Sequence, residues 1–104
     1  LWADQPEMRL GGVTFGWLAA AFRAMDAVTA GDIGLAAVET PVLILSAPED
    51  RIVDAASHAV VAARFRDARL VDFPGAKHEL LMERDGIRNA VWRAIDDFLA
   101  DVLP

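Results

Sequence analysis

A chain of 104 residues with 55% hydrophobic and 25% charged side chains has apolar material for a core and too much of it for a disordered segment. Its net charge of −6, spread without any block of like charge, argues against phosphate backbones and anionic membranes as partners, since both attract Lys and Arg. The lack of cysteine removes disulfides, thiolate metal sites and cysteine nucleophiles together.

Residues 1–13 carry Pro6, Gly11 and Gly12 without a period and read as an irregular lead-in. From Thr14, a candidate N-cap, Phe15, Leu18, Phe22 and Met25 recur at helical spacing until Gly31 and Gly34 end the helix. Leu35 to Glu39 reads as one turn before Pro41. Val42 to Ser46 (VLILS) is an apolar, branched run, the pattern of a parallel strand covered on both faces. Asp54 can cap a helix running to about Phe65, with Ala56, Val60 and Ala63 on one face. Arg69 to Phe73 reads as a second strand, its charge at Asp72 suggesting a place nearer the sheet edge, and Pro74 and Gly75 break it. From about Gly86, with Asp85 as candidate N-cap, Ile87, Val91, Ile95, Phe98 and Val102 form the stripe of a long amphipathic helix. Trp2, Trp17 and Trp92 are expected to pack.

The order helix, strand, helix, strand, helix defines an α/β chain. About twenty residues, a helix among them, separate the strands, which predicts a parallel pair with a right-handed crossover. Two such strands do not make a finished domain when the first is apolar on both faces. VLILS needs a further neighbour and helices above and below it. The expectation is therefore the C-terminal part of a larger α/β protein. No apolar run reaches the ~20 residues of a membrane span. No basic segment followed by an apolar stretch marks a signal peptide, and the compartment stays open, with the cytoplasm favoured.

In open α/β sheets functional groups gather at the carboxyl ends of the strands. Asp50 follows the first strand and His78 the second, an acid and a histidine in the order that α/β-hydrolases use for the second half of a Ser-Asp-His triad. Adjacent parallel strands are about 4.8 Å apart, so loops leaving their ends can bring a carboxylate to an imidazole. No G-x-S-x-G occurs in the chain. Ser46 ends a strand without the glycine-flanked sharp turn of a nucleophile, and Ser57 falls in the first turn of a helix. Glu49 is the nearest rival to Asp50, Asp54 being better used as a cap. His58 reads as structural or solvent-facing, and Glu83, Arg84 and Asp85 as a solvated turn and helix start. The two histidines fall short of a zinc triad unless carboxylates complete it, and no H-E-x-x-H is present.

PVLILSAPEDRIVD, FPGAKHELLMERD and the terminal amphipathic helix resemble the last third of α/β-hydrolases of the monoacylglycerol lipase and lysophospholipase type, within the serine aminopeptidase S33-like family. The likeness is strongest over residues 41–104 and weaker over GGVTFGWLAAAFRAMDAV, which is similar to the helix after that family's cap. It implies that residues 1–13 are the tail of the cap or a lead-in, and 14–104 the C-terminal part of the hydrolase core. Asp50 then matches the catalytic acid and His78 the catalytic histidine, while Ile52, Val53, Leu80 and Leu81 match positions near the acyl pocket. The family commonly has Gly where this chain has Ser46 or Ala47. The implied activity is cleavage of a lysophospholipid, monoacylglycerol or simple carboxylic ester without metal or organic cofactor, the serine lying on a missing N-terminal part of the same protein. Alternatives on the same fold are acyl transfer, C–C hydrolysis, haloperoxidation, or a non-catalytic binding module. The chain alone is expected to be inactive.

Overall fold

The computed structural model describes residues 6–8 and 10–104. Five principal elements follow one another: α1 (Phe15–Ala30), β1 (Val42–Ser46), α2 (Ala56–Ala62), β2 (Ala68–Asp72) and α3 (Asp85–Val102), with 3-10 turns at Pro6–Met8, Leu35–Ala37 and Leu80–Met82. The strands are parallel, with Val42 opposite Ala68 and Ser46 opposite Asp72. Strand alternation sorts their side chains between two faces. Leu45, Ala47, Val71 and Phe73 cluster with Ile87, Val91 and Ile95 of α3. Ser46, Leu70 and Asp72 border a hollow with Ala55, Ala56 and Ala59, so α2 covers the opposite face. The result is a helix–sheet–helix layering around a two-stranded core.

Local chemistry accounts for most boundaries. The Thr14 hydroxyl accepts a hydrogen bond from Trp17 N at 3.1 Å and starts α1. Gly31, at φ 85°, ends it: Gly31 N donates to Val28 O and Asp32 N to Ala27 O, the paired bonds of a Schellman cap. Asp54 bonds Ala56 N at 3.1 Å, but the cap position of α2 itself falls on Ala55. That helix stops at Ala62, short of Phe65, because Arg64 N and Phe65 N turn to carbonyls three residues back and tighten the chain. β2 begins at Ala68, one residue earlier than its pattern suggested, and Phe73 N still reaches Ser46 O at 2.8 Å. Asp85 is the first residue inside α3, not its cap. There its carboxylate meets Arg88 at 2.6 Å, at the helix end where an anion is favoured.

The apolar stripes of α1 and α3 fare differently. On α3, Val91 is fully buried and Ile87, Ile95, Phe98 and Val102 are half-buried, as their spacing predicted. On α1, Phe15 is 91% exposed, and Phe22 and Met25 are also exposed. Trp17 and Trp92 stand about half in solvent, against the packing expected of them, and Trp2 lies outside the described residues. The four residues of β1 before Ser46 are only half-buried, since β1 has a single neighbour among the described residues. A strand apolar on both faces and a helix with a bare apolar stripe are what a portion of a larger α/β domain presents. Among the described residues no helix is long and apolar enough to cross a membrane.

Candidate active site

β1 leaves the sheet through Ala47, which is 3% exposed and belongs to the core beneath the loops. The chain then turns, Asp50 N donating to Ala47 O at 3.0 Å. This brings the Asp50 side chain back inward, where only 4% of it is exposed. One carboxylate oxygen accepts from the amides of Ile52 at 2.7 Å and Val53 at 3.2 Å. The other lies 2.7 Å from His78 Nδ1. A nearly buried carboxylate needs such partners, and three donors converge on this one.

β2 leaves through Phe73-Pro74-Gly75-Ala76, a turn closed by Ala76 N donating to Phe73 O at 3.1 Å. Pro precedes a Gly at φ 81°, the signature of a type II turn. Phe73 and Ala76 are buried against Val91, so the turn is anchored on the core and His78 emerges just beyond it, 37% exposed. Asp50 Oδ2 is an acceptor only, so His78 Nδ1 carries the proton and Nε2 keeps its lone pair. The Asp50 carboxyl is held below its ordinary value of 3.8, first by the Ile52 amide and then by His78 and Val53, against the opposing effect of burial. The pair thus combines an ionised orienting acid with an imidazole whose free nitrogen can take a proton.

A model of the serine aminopeptidase S33 family matches residues 1–85, which take in both strands and both loops. The chain belongs to that family. It is accordingly part of an α/β-hydrolase, and its two parallel strands with flanking helices fit the C-terminal portion of that fold. It is similar to probable lysophospholipase L2 of Haemophilus influenzae, 34% identical over 94 residues, covering 90% of this chain and 29% of that protein. It is also similar to lysophospholipase L2 of Escherichia coli K12, 35% identical over 104 aligned residues, covering 93% of this chain and 30% of that protein. The chain therefore spans about three-tenths of the length of these relatives.

In this member of the family the rivals to Asp50 are engaged elsewhere. Glu49 accepts from Gly75 N at 3.1 Å, tying the acid loop to the histidine loop, and Asp54 serves the start of α2. Glu83, which read as part of a solvated turn, accepts from Lys77 N at 2.6 Å and clamps the residue next to His78. Neither clamp was visible in the sequence, because both join a side chain to a backbone amide and backbone amides carry no residue code. Ile52 and Val53 are exposed side chains whose amides hold Asp50. Leu81 is exposed, and Leu80 packs on the core cluster. Among the described residues no group of three His, Asp or Glu gathers as a metal site.

The histidine loop leans on one glycine. At Gly75 an added Cβ would meet nothing closer than Arg84 Nη2 at 3.5 Å, so the penalty of a side chain is conformational, not steric. Gly75→Ala in the full-length protein is expected to lower unfolding free energy by about 1–2 kcal/mol, the scale of a left-handed non-glycine residue. Urea unfolding measures it, and an unchanged midpoint would contradict the turn assignment.

Proposed function

We propose that this chain supplies the acid and the histidine of a Ser-Asp-His triad in a serine hydrolase that cleaves carboxylic esters, of the lysophospholipid or monoacylglycerol class. The observation that carries the reading is the 2.7 Å bond between Asp50 and His78, made across loops leaving adjacent parallel strands. The names of the relatives support the ester class.

The serine is supplied by a portion of the protein N-terminal to residue 1, with 1–13 as the tail of the cap and 14–104 as the end of the core. His78 Nε2 takes the proton of the serine hydroxyl as its oxygen attacks the ester carbonyl. The imidazolium so formed is stabilised by Asp50, and the same proton passes to the departing alcohol. A water, deprotonated by His78, then attacks the acyl-enzyme, and the serine recovers its proton as the carboxylic acid leaves. Ile52, Val53, Leu80 and Leu81 border the acyl chain, the exposed members contacting it and Leu80 supporting the floor. No metal or organic cofactor enters the cycle.

Two tests address this directly. The coding sequence within roughly 100–200 residues upstream, one domain's length, is expected to contain a G-x-S-x-G nucleophile elbow. Its absence would leave a binding module without chemistry. A fluorophosphonate probe is expected to label the full-length protein at that serine and to leave the isolated 104-residue chain unlabelled. Stoichiometric labelling of the short chain would place the nucleophile within it and sink the proposal.

A further inference from the structure

His58, which read as structural or solvent-facing, bonds through Nδ1 to Ser46 Oγ at 2.8 Å. Ser46 is the last residue of β1 and only 2% exposed; His58 lies in α2, twelve positions further on. Between them runs the whole acid loop. The other hydrogen bonds within that segment join residues two or three apart: Asp50 to Ala47, Ile52 and Val53 to Asp50, Ala56 and Ser57 to Asp54, and His58 to Ala55. These bonds shape the loop but do not close it. The Ser46–His58 contact joins its two ends.

Packing at the same place is incomplete. A cavity of about 330 Å3, bordered by Ser46, Pro48, Ala55, Ala56, Ala59 and Leu70, lies between the start of α2 and the strand ends. Alanines line that hollow, so the helix start meets the strand ends there with fewer van der Waals contacts than a filled core would give. A buried hydroxyl also loses its partner if α2 shifts, which makes displacement unfavourable. The bond does not depend on the state of the ring: Ser46 donates to an unprotonated Nδ1 and accepts from a protonated one. Ser46 is too enclosed to act as a nucleophile, and among the described residues no carboxylate bonds His58.

We propose that His58, pinned to Ser46, is a positioning residue that closes the neck of the acid loop and so sets where Asp50 meets His78. The inference rests on the triad reading above. Displacement of the acid by a fraction of an ångström would weaken the orientation of His78, an effect on turnover rather than on substrate binding.

The test uses the full-length hydrolase with a soluble ester substrate, and compares His58→Leu, His58→Asn and Ser46→Ala, with His78→Ala and Asp50→Asn as controls. His58→Leu and Ser46→Ala are each expected to lower kcat by about 10- to 100-fold with little change in KM. The double variant should be no worse than either single one, and His58→Asn, whose amide reaches the position of Nδ1, should restore most of the rate. In an Asp50→Asn background His58→Leu should have no further effect. If the two controls keep full activity, the triad reading itself fails and takes this role with it. If they are inactive while His58→Leu keeps wild-type kcat, loses only melting temperature, raises only KM, or adds its full effect to Asp50→Asn, the positioning role alone is overturned.

Discussion

Replacing His78 by Ala in the full-length protein is expected, on the proposed triad, to reduce kcat for ester cleavage on the order of 10^6-fold, the scale on which serine hydrolases lose their general base. Without the imidazole the serine hydroxyl has no acceptor for its proton, and the leaving alcohol has no donor. Little structural loss should accompany this. The side chain is 37% exposed and stands outside the cluster of Ala47, Phe73, Ala76 and Val91, so circular dichroism and the melting temperature should stay near those of the unaltered protein. Steady-state turnover beside a thermal melt separates the two effects. An Ala variant that turns over ester at a near-normal rate would remove His78 from the mechanism.

Asp50→Asn is expected to lower kcat by about 10^4-fold, through the tautomer of His78 and not through the fold. The Asn carbonyl can still accept from Ile52 and Val53, as Asp50 Oδ1 does at 2.7 and 3.2 Å. Its other end then faces His78 as an NH2, a donor where an acceptor stood, and Nδ1 can no longer keep its proton against it. The proton moves to Nε2, where the base should be. The same substitution alters stability with pH in a defined direction. The folded Asp50 carboxyl titrates below its ordinary 3.8, so its contribution is complete above that value and is lost as pH falls through the lowered one. Urea midpoints measured between about pH 5 and pH 2 should therefore fall less steeply for the variant. Parallel profiles would show that Asp50 is not held below its ordinary value.

The sequence carried the element order, the parallel sense of the strands and the acid–histidine order on their loops. These features depend on short-range chemistry: branched apolar runs for β1 and β2, Thr14 and Gly31 at the ends of α1, Pro74-Gly75 at the turn beneath His78. Element ends were less legible. Asp85 moved inside α3 and α2 stopped at Ala62, because adjacent positions compete for the cap and a tightening turn has no residue signature.

Burial was legible for one helix and not for the other. The stripes of α1 and α3 look alike in sequence, but periodicity states only that a face is apolar, not what covers it. α3 finds Leu45, Val71 and Phe73 on the sheet; Phe15, Phe22 and Met25 of α1 find no cover within the described residues. By itself, then, the sequence singled out Asp50 and His78 and the edge of the sheet they leave from. Only the tertiary structure decided that Asp50 and not Glu49 bonds His78, that Glu49 and Glu83 hold the histidine loop, and that His58 closes the acid loop on Ser46. Those choices turn on distances of about 3 Å between residues up to 28 positions apart, set by how two loops leave neighbouring strands, and spacing along a chain does not encode them.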